Sequence, residues 1–235
     1  MYNVGFSVIT VTIRKYCIVN MIYNFIRQNY GSKELIVIIN NDKINIYDIL
    51  KYINKDLSIS IYKLSEVKSL GYCLNYAIEK SSYDTIAKFD DDDYYGPYYL
   101  DEAKQAFLQN RCHIVGKQTI YYYLEGHKKL ILKKNGIEND YVKSLMGSTL
   151  CFKREVFDKV KFKDISIRED YNFNKDCIKN GYKLYSTSKN NHLVFKHADI
   201  NKHTFKSDIG LLLSKCIEIK SNIEYNDCFK IKNKN

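Results

Sequence analysis

Four consecutive aspartates, Asp90-Asp91-Asp92-Asp93, constrain this chain more than any other feature. They follow the apolar run Thr85-Ile86-Ala87-Lys88-Phe89 and precede Tyr94-Tyr95-Gly96-Pro97, whose proline can open a helix. Adjacent carboxylates repel one another and are not buried without a compensating charge. Three readings of the run compete. A solvated acidic turn is the ordinary one. A site for a hard cation is the second: Mg2+ or Mn2+ takes one or two carboxylates and completes its shell with phosphate oxygens. An EF-hand loop, the third, fails for want of Gly at the sixth position and Glu at the twelfth. Placement at the end of a short apolar run favours the cation, because ligands of open α/β sheets bind beyond the carboxyl ends of the strands.

The residues before the acids alternate strand and helix patterns. Residues 6–13 read as a first strand, and Val19, Ile22, Phe25 and Ile26 then recur at helical spacing, with Gly31 as a stop. Residues 35–39 are five apolar positions in a row, the mark of a strand buried on both faces, and Asn40-Asn41-Asp42 breaks it. Ile46, Ile49, Leu50 and Ile53 form a second helical stripe. Residues 57–64 read as a third strand, and Leu70, Leu74, Ala77 and Ile78 form a third stripe. The βαβαβαβ order predicts a doubly wound α/β half with a mostly parallel sheet. Its polar strand ends, at 10–14, 40–42 and 90–93, would gather along one rim, as a nucleotide site requires.

Beyond Pro97 the pattern changes. Leu100, Ala103 and Phe107 predict a helix to about Asn110, and then residues 112–124, 129–132 and 147–152 read as strands, with turns at Gly126 and Asn135-Gly136. A short helix over 154–160, a longer one over 170–180 stopped by Gly181, and strands at 183–186 and 193–196 complete a mixed half. A further helix is expected from about 205 (Ile209, Leu212, Leu213, Cys216), followed by a frayed Lys- and Asn-rich end.

Motifs for other chemistries are missing. Gly71 has no partner glycines for a dinucleotide fingerprint or a Walker A loop. The seven cysteines form no C-x-x-C pair and read as reduced, packed thiols. Cys112-His113 has no zinc spacing. Residues 6–13 are too short for a signal peptide, and no run has the length of a membrane span, so the expected location is cytoplasmic. Glu169-Asp170 caps a predicted helix start, which is commonly structural. His197 and His203 follow an apolar strand, where a histidine is more often a satisfied polar side chain than a ligand.

Taken together and in order, these pieces resemble the family 2 glycosyltransferases with the GT-A fold, over about residues 5–205. Ser7-Val8-Ile9-Thr10-Val11-Thr12 is similar to that family's first strand, with Val11 in place of its usual proline. Residues 34–42 are similar to the segment that ends in Asp-Asp-Gly-Ser, here Asn40-Asn41-Asp42. Leu70-Gly71-Tyr72-Cys73-Leu74-Asn75-Tyr76-Ala77 matches the stretch that usually reads Ala-Arg-Asn, with Leu74 at the arginine. Phe89-Asp90-Asp91-Asp92-Asp93 and Pro97 fit D-x-D-D-x-x-x-P at every fixed position. Gly147, Leu150, Arg154, Glu155 and Phe157 fit the acceptor-side segment, and Glu169-Asp170 stands at the ED motif.

The resemblance implies a domain over 1–205, divided into a nucleotide-sugar half (1–97) and an acceptor half (98–205), with a C-terminal helix and tail over 206–235. It implies that Thr10, Thr12, Arg14, Asn41, Asn75, Asp90 and Asp91 contact the nucleotide sugar, Asp90 at its ribose or uracil. Asp92 would hold Mg2+ or Mn2+, with His197 or His203 on the metal or diphosphate, and Asp170 would be the catalytic base of an inverting transfer. The donor is expected to be a UDP-sugar and the acceptor a glycan or glycoprotein. Two rivals stand beside this reading. A nucleotidyltransferase of related fold would want a glycine-rich loop after the first strand, where this chain has Thr12-Ile13-Arg14-Lys15. A catalytically inactive binding module would not need Asp90, Asp92 and Asp170 together.

Formal net charge is +10, yet the lysines are scattered, with pairs no longer than Lys128-Lys129 and Lys133-Lys134. The charge is therefore expected to serve solubility, anionic ligands or a peripheral position at a membrane surface, and no specific nucleic-acid partner. Fluorescence anisotropy against mixed-sequence DNA and RNA at physiological salt should show only weak, salt-sensitive binding. Binding tighter than about 10⁻⁷ M, beyond ordinary non-specific affinity, would reverse that ranking.

Overall fold

The computed structural model describes residues 4–50, 53, 56–199 and 208–229. The chain runs β1 (Phe6–Thr12), α1 (Ile18–Ile26), β2 (Lys33–Ile39), α2 (Tyr47–Leu50), β3 (Ile59–Lys63), α3 (Leu70–Glu79) and β4 (Thr85–Lys88). These four strands lie parallel in the order β3-β2-β1-β4. After the two-residue β5 (Tyr94–Tyr95) come α4 (Tyr99–Gln109), β6 (Ile114–Gly116), β7 (Tyr121–Leu124), β8 (Lys129–Lys133), β9 (Asp140–Val142) and β10 (Cys151–Lys153). The chain continues through α5 (Glu169–Lys179), β11 (Leu184–Ser186), β12 (His192–Lys196), α6 (Ile209–Ser214) and β13 (Cys216–Lys220). β10 joins β4 antiparallel and extends the main sheet through β6, β11 and β9 to eight strands, so the sheet is parallel in its first half and mixed in its second. A second sheet has the order β13-β8-β7-β12-β5.

The apolar run of β2 is buried because both faces of the sheet are covered. Leu35, Val37 and Ile39 pack with Phe6, Val8 and the α1 residues Ile18, Ile22 and Phe25. Ile36 and Ile38 point the other way, into the core that holds Cys73, Leu74 and Ala77 of α3. Alternate side chains of one strand thus feed two cores, as the pleat requires. Ser69 caps α3 by accepting from the Tyr72 amide at 3.1 Å, and its hydroxyl reaches Asp164. Gly71 lets the approach to α5 lie against this turn. A Cβ there would stand 1.8 Å from the Lys163 carbonyl, while the Gly71 amide donates to Ile165 at 3.0 Å. That contact fixes the chain that delivers Glu169 and Asp170.

Several boundaries differ from the sequence expectations. The stretch 112–124 is two strands, broken where Lys117 turns inward to bond Glu102, Thr187 and the Ser188 carbonyl. Residues 147–149 and 154–156 form 3₁₀ turns flanking the short β10, and the edge strand β9 had no signal beyond three residues. The expected C-terminal helix is only Ile209–Ser214. The Cys-Ile-Glu-Ile-Lys that follows alternates β-branched residues and pairs as β13 with β8, so a strand of the second sheet stands where the helix was expected to run on, and the expected tail beyond residue 229 lies outside the described residues. No helix among the described residues is long and apolar enough to cross a membrane.

Candidate active site

The loop after β4 opens into a cavity of about 940 Å3, walled by the ends of β1 and β4, by α5 and by β12. The four aspartates divide the work within it. Asp91 is buried, accepts from Thr12 Oγ1 at 2.6 Å and from Arg14 Nε at 3.1 Å, and pairs with a second nitrogen of the same guanidinium. Asp93 is also buried. One of its oxygens accepts from the Phe195 amide at 3.1 Å, the other lies 3.3 Å from His192 Nε2, and its carbonyl accepts from Asn20 and Asn24 of α1. These two acids hold the loop. Asp90 and Asp92 keep part of their surface: Asp90 pairs with Lys88, and Asp92 lies 2.8 Å from Arg14 Nη1 and 3.8 Å from His197 Nε2.

The packing behind the loop is rigid. Tyr95 stacks on Phe89 with centroids 3.7 Å apart, accepts from the Asp90 amide at 2.7 Å and donates to the Ser148 carbonyl at 2.5 Å. Burial, then the neighbouring Asp93 and Asp91, pushes the Asp92 carboxyl well above the usual carboxylate range. Asp93 is pushed up by its burial and by Asp90. The cluster is short of positive charge, and that shortage is what a bound cation would relieve.

The opposite wall is made by α5. Arg168 takes a left-handed backbone (φ 65°), an uncommon and costly conformation for a residue with a Cβ, and turns the chain so that Glu169 and Asp170 open the helix toward the cavity. Acidic groups are favoured in a first helical turn. Gly147 supplies the room: a Cβ there would lie 1.7 Å from Asp170 Oδ2. Burial raises the Glu169 carboxyl to about 7 against the opposing pull of Lys88.

Of the residues singled out in the sequence, Thr12, Arg14, Asp90, Asp91, Asp92, Asp170 and His197 meet around this cavity. Thr10, Asn41 and Asn75 are directed elsewhere. The Thr10 hydroxyl meets Met21 Sδ at 3.3 Å, and Asn41 bonds the Ile13 carbonyl and the Lys43 amide, leaving Asn40 on the wall. Asn75 exchanges two hydrogen bonds with the backbone of Phe162, at 2.8 and 3.0 Å, which makes it a brace for the segment leading to α5. His203 lies outside the described residues.

Among the described residues, no three His, Cys, Asp or Glu side chains form a metal cage. Asp92 and His197 offer two donors, which fits Mg2+ or Mn2+, ions that commonly take one or two protein groups and complete their shell with phosphate and water. Glu125 Oε2, 3.7 Å from His197 Nδ1, stands on the far side of that ring.

Residues 7–163 match the sequence profile described as glycosyl transferase family 2. The chain belongs to that family. Over 95 residues it is 38% identical to the O-antigen biosynthesis glycosyltransferase WbnJ of Escherichia coli, a stretch covering 40% of this chain and 37% of that protein. Among solved structures it superposes on residues 1–349 of S. aureus TarS in complex with UDP-GlcNAc with a TM-score of 0.64, at 15% identity, over 83% of this chain and 59% of that one. It superposes on the mannosyltransferase PcManGT of Pyrobaculum calidifontis, in complex with GDP-Man and Mn2+, with a TM-score of 0.65 at 14% identity, over 86% and 59%. The fold is GT-A. The chain spans less than two thirds of the length of each of these relatives.

Within this family 2 chain, sequence reasoning gave no site role to Lys88, Asn20, Asn24, Tyr95 or His192, and named Glu169 only as the neighbour of Asp170. Lys88 carried a signal, a charged residue at a position of β4 that should be apolar. His192 carried none, because its partner Asp93 is 99 residues away in the chain. Glu169 has a measurable consequence. Its folded-state pKa lies above the unfolded one, so its contribution to stability is present below about pH 4.5 and is lost as pH rises through about 7. Glu169→Gln should therefore stabilise the protein at pH 8 by on the order of 1 kcal/mol, seen as a higher melting temperature there and a flatter decline between pH 5 and 8. Parallel melting curves for the two proteins across that range would contradict the assignment.

Proposed function

We propose that this chain moves a sugar, with inversion, from a nucleoside-diphosphate sugar to a hydroxyl of a glycan or glycoprotein acceptor, with Mg2+ or Mn2+ as cofactor. One observation carries the reading. A single cavity has the Asp90–Asp92 acids on one wall and Asp170, at a helix start cleared by Gly147, on the other. Asp92 and His197 would hold the cation. When bound, the cation offsets the charge that develops on the departing diphosphate. Arg14, already astride Asp91 and Asp92, places a guanidinium beside that charge. Asp90 would orient the nucleoside. UDP remains the expected nucleotide; the UDP-GlcNAc and GDP-Man of the structural neighbours support a nucleotide sugar in general. WbnJ, with its O-antigen role, supports a glycan acceptor.

In this chemistry Asp170 takes the proton of the acceptor hydroxyl as its oxygen bonds to C1 of the donor sugar. The bond from C1 to the diphosphate oxygen breaks in the same step, and its electron pair leaves with the nucleoside diphosphate. Attack opposite the leaving group inverts C1. Because the proton transfer matters only as the new bond forms, it belongs to the transition state and contributes little to donor binding.

Asp170→Asn keeps the shape and the first-turn hydrogen bond to the Tyr171 amide but removes the base. With whichever donor a panel of UDP- and GDP-sugars shows to turn over, transfer should fall by about 10² to 10⁴-fold. Donor affinity should stay within a few-fold and the melting temperature should barely move. Near-normal turnover, or a product of retained anomeric configuration, would remove Asp170 from this role.

A further inference from the structure

Among the described residues, five cationic side chains line the cavity: Arg14, Lys68, Lys88, Arg168 and Lys196. Lys68 and Arg168 are exposed, Arg14 and Lys196 are half-buried, and Lys88 alone among them is buried, at 4% exposure. It occupies the last position of β4, opposite Ile9 of β1, with its amide donating to the Leu150 carbonyl at 2.8 Å. Neither neighbour carries a charge, and the same sheet face is built from Ile9, Ile36, Ile38 and Ile86. An ammonium in such a place is strongly disfavoured unless it is paired. Its partners come from two elements. Asp90, on the loop after β4, bonds it directly, and Glu169 and Asp170, at the start of α5, line the same cavity and act on it electrostatically. The Arg14 guanidinium is already committed to Asp91 and Asp92.

We propose that Lys88 is a positioning residue for the transfer reaction, a buried counter-charge that ties the donor-side acid Asp90 to the Glu169–Asp170 pair and sets the charge on that pair. The proposal rests on Asp170 being the base. The geometry gives Lys88 a location no surface lysine could serve, between the loop that would orient the donor and the helix turn that would take the proton. One ammonium among three acidic side chains leaves the cavity short of positive charge, so the site keeps its appetite for a cation. Burial alone would lower the lysine's own proton affinity, and the three acids raise it above its ordinary value, which keeps it charged.

Lys88→Met keeps the length of the side chain and removes the charge. Release of nucleoside diphosphate from the active sugar nucleotide, with water as acceptor, would be followed as kcat/KM from pH 5 to 9. In Lys88→Met the acid limb should move up by about one unit, a roughly tenfold loss on that limb that recovers at high pH. Lys88→Arg should leave the limb near its wild-type position. Glu169→Gln, which removes a neighbouring negative charge, should move it down. The double variant Lys88→Met/Glu169→Gln should return it close to wild type and regain most of the melting temperature lost by Lys88→Met at pH 8.

A merely structural lysine would lower the amplitude or the melting temperature and leave the limb in place; that result overturns the proposal. If Lys88→Met does not fold, the double variant compared with Glu169→Gln carries the same test. An upward displacement supports the proposal and coincident profiles overturn it. Full turnover in Asp170→Asn would instead remove the general-base reading, whereas an inactive Asp170→Asn beside an unmoved Lys88→Met limb would remove only the role of Lys88.

Discussion

The structure is arranged around the cost of holding four carboxylates at the end of one strand. Adjacent aspartates cannot share a pocket unless each finds a donor or a cation, and the donors come from distant parts of the chain. Thr12 and Arg14 reach Asp91 from the end of β1, Asn20 and Asn24 hold the loop backbone from α1, and His192 and the Phe195 amide hold Asp93 from β12. The loop thereby joins the two sheets at the rim of the cavity. Satisfying Asp91 and Asp93 inwardly leaves Asp90 and Asp92 to face the ligand space.

Two further constraints give the second wall its shape. Gly71 and Ser69 draw the chain before α5 against the first turn of α3, and Asn75 clamps Phe162 just upstream. Gly147 then leaves room for Asp170. Residues that resemble a binding motif can therefore serve it from behind: Asn75 never reaches the cavity, yet it steadies the segment that carries the candidate base. Lys88 pairs with Asp90 from a strand position whose neighbours on the same face are apolar, and it lines the cavity together with Glu169 and Asp170.

Much of this was legible in the sequence. The parallel half could be read because β2 is apolar without a break and the helices between strands repeat at 3–4 residue spacing. The acids, Arg14, Asp170 and His197 could be read because they sit at strand and helix ends, where ligands of such sheets gather. The mixed half was harder. Its strands run to three residues, too short for periodicity, and the turn at Lys117 is decided by a buried lysine's partners at Glu102 and Thr187. The misplaced residues, Thr10, Asn41 and Asn75, are small polar groups whose direction depends on a single backbone carbonyl or sulfur nearby. The C-terminal segment fits both a helical stripe and a β-branched alternation, and only the open edge of β8 decides between them.

The central claim is that the acid cluster becomes a nucleoside-diphosphate site through a divalent cation. Isothermal titration of UDP and of GDP into the wild-type protein, in matched buffers with Mn2+ and with EDTA, tests it most directly. The expected result is that one of the two nucleotides binds with Mn2+ at least about tenfold more tightly than with EDTA, a difference of about 1.4 kcal/mol. Equal affinities in the two buffers, or binding favoured by EDTA, would contradict it.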